Sequence, residues 1–381
     1  MTTSDKYCAD LQGGMWLQFD TVTKQWMAKP CCLYQTRYPI IADITQEFWS
    51  HPDVQKERLD NLQGNELPTN CWICRNTEQR GEYSRRQSWN DRLGTHWQNL
   101  DSVIELDLQS DFSCNLACRI CGPQYSTLWR QVESREKFEA SKKFKVRADN
   151  NNVFDILSTI PLNKIRQIKF QGGEPFISTT HIQILEKLQD TIDLSQISVW
   201  YLSNGTTKVS DKVLKFWEKL KMVEIYFSID DIGPRMEYQR WPCNWQEMQD
   251  TLLWFRTTLP HNTLLYLERT VGMLTAPWIT ELENWQSEHF AQTIYGDKIT
   301  VNYHDCFGPY ALHALSAECK DYVLAHTPTD HWAHNRVLEA DVDNSTSIKK
   351  MFDHMNQHDL IRNQDWRKVY PEFMTWYQRY L

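Results

Sequence analysis

The sequence predicts an α/β fold, a partial (β/α)6 barrel of the TIM type with a small cysteine-rich module before it and a helical extension after it. Between residues 103 and 305, six short apolar runs alternate with amphipathic stretches, the pattern of parallel strands joined by right-handed crossovers. Upstream, the chain is rich in Trp, Cys and turn residues, poor in strands and without a sustained period. Beyond residue 309 it turns polar and helical and ends in an aromatic tail. The domain boundaries expected from these shifts are 1–98, 99–308 and 309–381.

The first strand covers 103–108 (VIELDL) and leads through a cysteine loop into a helical pattern from Ser126. The second covers 165–170 (IRQIKF), followed by a glycine turn and a helix over 180–188. The third covers 197–202 (ISVWYL), with a Ser-capped helix over 210–220 behind it. The fourth covers 223–229 (VEIYFSI), with a helix over 245–257. Runs at 264–271 and 299–304 supply the last two, with a helix over 277–290 between them. Six units make an incomplete barrel rather than the eight-unit closed form. Reactive groups in such sheets collect at the C-terminal ends of the strands, where the unusual residues of this chain fall.

Composition narrows the function classes. A formal charge of −8 gives no basic footprint for nucleic acid or an anionic lipid surface. The one basic segment, 142–147, reads as a solvated face. No apolar run is long enough to cross a bilayer, and the N-terminus lacks the apolar core of a secretory signal. The 11 cysteines, clustered and odd in number, fit a reducing cytoplasmic setting in which thiolates bind metal rather than pair. The 17 Trp, 16 Tyr and 15 Phe supply bulky apolar surface for a large core or a ligand cavity.

The loop after the first strand reads Ser113-Cys114-Asn115-Leu116-Ala117-Cys118-Arg119-Ile120-Cys121-Gly122-Pro123. Three thiolates at this C-x3-C-x2-C spacing can converge on one soft metal centre. A closed site takes four ligands, so three leave one position open, although a zinc knuckle with a distant fourth ligand has the same spacing. CNLACRICG after a strand resembles the radical S-adenosylmethionine (SAM) signature, a resemblance that extends over about residues 100–305. It implies that Cys114, Cys118 and Cys121 hold three irons of a [4Fe–4S] cluster whose fourth iron chelates the amino and carboxylate groups of SAM. Ile120 departs from the aromatic residue often found before the last cysteine.

Gln171-Gly172-Gly173-Glu174-Pro175 follows the second strand. Its glycines permit close backbone approach, and it resembles the family's GGE motif, which grips the SAM amino group. Gly172, Gly173, Glu174 and Pro175 are thereby implied as cofactor contacts. The third strand ends in Ser203-Asn204-Gly205 and the fourth in Ser228-Ile229-Asp230-Asp231. Such clusters serve as caps and Asx-turns as readily as they bind a ribose diol. The resemblance implies ribose contacts at Ser203, Asn204, Ser228 and Asp230. Arg240 resembles an arginine that helps fix the SAM carboxylate in some relatives; a surface arginine is the plainer reading.

In the first zone, Cys8, Cys31-Cys32 and Cys71-x2-Cys74 suggest a metal-stapled module in a segment with a weak core of its own. The pattern running from Cys8 through Trp16-Leu17-Gln18-Phe19-Asp20, Lys29-Pro30-Cys31-Cys32 and Trp49-Ser50 to Arg85 resembles, over about ninety residues, the auxiliary-cluster modules called SPASM and twitch, most specifically from Cys71-Trp72-Ile73-Cys74 to Arg85; in most relatives these modules follow the barrel. It implies a second [4Fe–4S] cluster on Cys8, one of Cys31 and Cys32, Cys71 and Cys74, with a structural zinc as the alternative. Cys243, Cys306 and Cys319 lack a partner at ligand spacing and read as buried apolar thiols, Cys306 lying at the substrate end. Asn302 and His304 share one strand face. His354 and His358 read as helix-surface histidines rather than a metal pair.

The function so implied is reductive cleavage of SAM to a 5′-deoxyadenosyl radical, which abstracts hydrogen from a substrate. The expected substrate is a peptide or protein side chain, oxidised or cross-linked with the auxiliary cluster as electron relay. A flavodoxin- or ferredoxin-type protein is the expected reductant. The alternatives are dehydrogenation of a small molecule, or a non-catalytic iron–sulfur or zinc protein. No catalytic side chain is assigned beyond the cluster and SAM.

Overall fold

A computed structural model describes residues 6–20, 23–95, 102–136, 151–312, 314–342 and 345–378. The basic segment 142–147 and the expected boundary at 98/99 lie outside them. The chain opens with α1 (Ala9–Gly13), then β1 (Gly14–Asp20), β2 (Gln25–Lys29) and β3 (Tyr38–Ile40). Three helices follow: α2 (Pro52–Leu62), α3 (Trp72–Gln79) and α4 (Arg85–Leu93), the last started by a capping box of Ser84 and Gln87. Next come β4 (Glu105–Asp111), α5 (Thr127–Glu136), α6 (Asn151–Ser158), β5 (Gln167–Gly172), α7 (Thr180–Leu188), β6 (Ser198–Ser203), α8 (Asp211–Trp217) and β7 (Met222–Ser228). Then follow α9 (Gly233–Gln239), α10 (Trp245–Thr258), β8 (Thr263–Val271), α11 (Ile279–His289) and β9 (Thr300–Asp305). The chain closes with β10 (Ala314–Leu315), α12 (Ala317–His326), α13 (Trp332–Glu339), β11 (Asp341–Val342), α14 (Ser345–Arg362), α15 (Trp366–Val369) and α16 (Met374–Tyr377). The six strands expected from the sequence all form, as β4 to β9, displaced by a few residues at most. The architecture is mixed α/β with mostly parallel strands.

The chain divides into two compact units. The first comprises Met1–Phe112, Lys145–Tyr201 and Lys219–Val223. Within it β1 pairs in parallel with β4, β4 with β5 and β5 with β6, while β2 and β3 add antiparallel strands beside β1. The N-terminal zone is therefore not strand-poor as expected, and it shares a ladder with the first expected barrel strand. The reason it was missed is physical. The first five residues of β1 are all buried, and a strand covered on both faces shows no apolar–polar alternation.

The second unit comprises Ser113–Phe144, Leu202–Glu218 and Glu224–Leu381. It holds β8 and β9 in parallel. One of its cores joins Val271, Met273 and Tyr310 to Met355, Trp366, Tyr370 and Phe373. The C-terminal segment, expected as an extension, thus forms part of this unit's core, with Trp366, Tyr370 and Phe373 fully buried. Cys306 and Cys319 lie in the same core as apolar thiols. Among the described residues, no helix is long and apolar enough to cross a membrane.

Candidate iron–sulfur and cofactor sites

In the second unit the cysteine loop is held along its whole length. Thr127 Oγ1 accepts the Cys114 N–H at 3.1 Å and donates to the Cys114 carbonyl at 3.2 Å. Ser126 Oγ donates to the Leu116 carbonyl at 2.6 Å, and Trp129 Nε1 to the Cys118 carbonyl at 2.8 Å. The Ala117 N–H donates to the Trp241 carbonyl (2.7 Å) and the Arg119 N–H to the Gln239 carbonyl (2.8 Å). Arg119, between the second and third cysteines, turns its guanidinium inward to the Tyr238 carbonyl (2.9 Å), Asp359 (2.5 Å) and Gln364 (2.9 Å). Nothing in the sequence pointed to Arg119, because its partners lie over a hundred residues away.

All three thiols are unpaired by disulfides. The Leu116 N–H and Asn204 Nδ2 donate to Cys114 Sγ at 3.4 and 3.8 Å, and Arg240 Nη1 donates to Cys118 Sγ at 3.9 Å. Burial pushes the Cys118 thiol upward while Arg240 pulls it back, and burial with Cys118 nearby pushes Cys121 up to about 12. Buried thiols of this kind become ligands when a metal displaces their protons. Amide and guanidinium donors aimed at sulfur favour the thiolate and tune an iron–sulfur centre. That donor chemistry fits a cluster. Among the described residues, no three His, Cys, Asp or Glu side chains gather in the arrangement that holds a single metal ion.

Arg240 is only 7% exposed, so it is not a surface arginine. Asp230 orients it, accepting from its Nε at 2.7 Å, while the other carboxylate oxygen accepts the Thr270 N–H at 2.9 Å. Both oxygens of the expected ribose contact at Asp230 are therefore engaged by protein. Ser203 and Asn204 build the local turn: Ser203 Oγ accepts the Gly205 N–H at 3.1 Å, and Asn204 Oδ1 accepts the Thr206 N–H at 3.0 Å. The Asn204 amide faces the cysteine loop, donating to Asn115 Oδ1 at 3.0 Å as well as to Cys114. Ser228 ends β7 half-buried.

Further along, Asn302 Nδ2 donates to Glu268 at 2.8 Å, and His304 Nε2 meets the other oxygen of the same carboxylate. Glu268 was legible in principle, as a charged residue within the alternating strand β8. Of His354 and His358, expected on a helix surface, His358 is buried and His354 half-buried. Their rings lie 3.8 Å apart, His358 packs on Trp129, and His354 Nδ1 pairs with the Tyr310 hydroxyl at 2.8 Å. Cys243 donates to the Met236 carbonyl at 3.6 Å.

In the first unit, β5 ends at Gly172 with φ 131°, a backbone conformation that favours glycine. Gly173 and Pro175 flank Glu174, which is 1% exposed and accepts the Phe176 N–H at 3.1 Å. The same unit contains a pocket lined by Cys8, Cys31, Cys71, Cys74, Arg85 and Arg86, with about 410 Å³ of empty space including its part open to solvent. Cys8 caps α1, its Sγ accepting the Leu11 N–H at 3.4 Å. Cys71 precedes α3 and Cys74 lies in its first turn. A Cβ on Gly14 would sit 2.5 Å from the carbonyls of Asp10 and Pro30, so glycine is what lets the Pro30–Cys31 turn meet α1.

Cys32 is not part of that lining; its nearest charges include Arg85, Asp107 and Lys169. Burial pushes every one of these thiols up. Asp10 and Cys71 add to the effect at Cys8, and Cys74 adds to it at Cys71, which reaches about 12. Against this, the Arg86 backbone N–H reaches Cys74. Arg85 is paired with Asp10 at 2.9 Å and Arg86 with Glu78 at 2.8 Å.

No family model and no curated protein matches this chain. Among solved structures, it is similar to anSMEcpe with bound AdoMet at 17% identity, over 63% of this chain and 63% of that one, with a TM-score of 0.38. The same protein with bound AdoMet and a Cp18Cys peptide gives 15% identity over 63% and 62%, with a TM-score of 0.37. SuiB from Streptococcus suis gives 12% identity over 82% of this chain and 64% of that one, with a TM-score of 0.34. The chain thus spans less than two thirds of each of these proteins. Likeness at this level is coarse, and what the chain does has to be read from its own residues.

Proposed function

We propose that this chain is a radical SAM enzyme with two iron–sulfur clusters. The observation that carries the reading is the three-thiol loop, whose first two sulfurs receive donors from Leu116, Asn204 and a buried Arg240. Cys114, Cys118 and Cys121 would hold a [4Fe–4S] cluster with SAM at its open iron. Cys8, Cys31, Cys71 and Cys74 would hold a second one, closed by four protein ligands. When bound, the first cluster and SAM supply a one-electron reductive cleavage that lets hydrogen be taken from an unactivated carbon.

The protein's own groups set the conditions for that chemistry. Arg240, held by Asp230, offsets thiolate charge at Cys118, and the Asn204 amide does so at Cys114. The glycines at 172 and 173 leave strand backbone accessible to an ammonium group. A closed four-thiolate site passes electrons rather than chelating substrate. The substrate we propose is a peptide or protein side chain, following the resemblance of the Cys71–Arg85 stretch to auxiliary-cluster modules, with a flavodoxin- or ferredoxin-type reductant.

Anaerobic reconstitution with iron and sulfide, followed by dithionite and SAM, tests the reading. It expects 5′-deoxyadenosine from the wild type and none from Cys118→Ala. Iron should approach about eight atoms per chain for two [4Fe–4S] clusters. Full iron loading without any nucleoside product would leave an electron carrier in place of the enzyme.

A further inference from the structure

Arg362, the last residue of α14, is 4% exposed, and among the described residues none of its three guanidinium nitrogens has a hydrogen-bond acceptor. The guanidinium lies 4.8 Å from the ring centre of Trp129 and 5.9 Å from that of Trp241. These two residues also hold the cysteine loop: Trp129 Nε1 donates to the Cys118 carbonyl at 2.8 Å, and the Trp241 carbonyl accepts the Ala117 N–H at 2.7 Å. Cys121 and Ile361 pack against one small apolar cluster that contains Trp129 and Ala117.

A buried guanidinium without an acceptor is strongly disfavoured unless an anion is supplied. Ring contacts offset only part of that cost. The nearby carboxylate, Asp359, is committed to Arg119 and to the Trp366 N–H at 2.6 Å. Burial and the Arg119 charge push Arg362 down to about 10, and the strongest attraction acting on it is Cys118. A cluster ligated by three thiolates supplies the missing anion: a dicationic core plus three thiolates carries one net negative charge, and one-electron reduction adds a second.

We propose that Arg362 is the buried countercharge of the cluster on Cys114, Cys118 and Cys121, and that it raises the reduction potential of that cluster. The inference rests on the radical SAM reading above. Arg362 is a positioning residue: its fixed charge favours the reduced cluster over the oxidised one, as local charge and burial do for iron–sulfur centres in general.

The test is a redox titration followed by electron paramagnetic resonance on full-length protein reconstituted with iron and sulfide. SAM marks the relevant signal, because only a cluster with an open iron changes its spectrum on adding it. Arg362→Met should lower the equilibrium constant for one-electron reduction about tenfold, a fall of 59 mV. Arg362→Gln should act similarly, and serves if the Met variant does not fold or load. Arg362→Lys, which keeps the charge, should shift by a small fraction of that. A loaded Met or Gln variant with the wild-type potential overturns this proposal alone, as does a Lys variant shifted as far as the neutral ones. Wild-type protein that takes up no iron at the three cysteines removes the parent reading and this one with it.

Discussion

Replacing Arg119 by Met should be among the costliest single changes in the cysteine loop. The Arg119 side chain is completely buried and Asp359 nearly so, 2.5 Å apart. Arg119 also donates to the Tyr238 carbonyl at 2.9 Å and to Gln364 at 2.9 Å, and its guanidinium carbon lies 3.5 Å from the Tyr238 ring centre. Removing one partner of such a pair leaves a buried carboxylate, at a cost of about 3–5 kcal/mol. For a domain of this size, each kcal/mol moves the melting temperature by about 2–4 °C, so Arg119→Met should melt roughly 6–20 °C lower. Asp359→Asn keeps an acceptor for the Trp366 N–H while removing the charge. The double variant therefore should recover at least about 2 kcal/mol of the loss. Urea unfolding and thermal melting of the anaerobic protein measure both, and the iron content reports whether the loop still holds its cluster. A single variant within about 1 kcal/mol of wild type, or losses that simply add in the double variant, would refute the reasoning.

Two further outcomes follow from the same contacts. Cys31→Ala should reduce iron from about eight to about four atoms per chain, whereas Cys32→Ala should leave it near eight, because of these two Cys31 alone lines the pocket that Cys8, Cys71 and Cys74 also line. Equal losses in the two variants would contradict that division. His358 is 6% exposed and pushed down to about 2 by burial and by His354 beside it. Its ordinary value is about 6.5, so below that pH the unfolded chain binds a proton that the folded chain refuses. Its contribution is complete above about pH 6.5 and is lost as the pH falls, at about 1.4 kcal/mol per pH unit. His358→Phe, which keeps a ring against Trp129, should flatten the stability profile between about pH 6 and 4.5 by that slope, read from urea unfolding at several pH values; an unchanged slope counts against it.

Local patterns in the chain were enough to find β4 to β9 and the helices α5, α7, α8, α10 and α11 between them, because each is short and bounded by turn residues, whereas α6 and α9 were not foreseen. Cysteine spacing likewise marks the three-thiol loop and the Cys71/Cys74 pair as candidate ligands, since ligand geometry is imposed over a few residues. The ribose-type clusters were only half legible: a Ser or Asn at a strand end makes the same turn whether or not a ligand follows.

Other features had no local signature. Parallel β1 is buried on both faces and so shows no alternation, which hid its place beside β4. Cys31 and Cys32 are chemically identical neighbours that differ only in what folding brings against them. Arg240, Arg119, His358 and Arg362 look like surface residues in the sequence, yet all are buried around or behind the cysteine loop. Periodicity along a chain tells which face of an element is covered; it carries no information about the charge or ring that covers it. The partner of Arg119 is 240 positions away, a pairing that exists only once the chain has closed on itself.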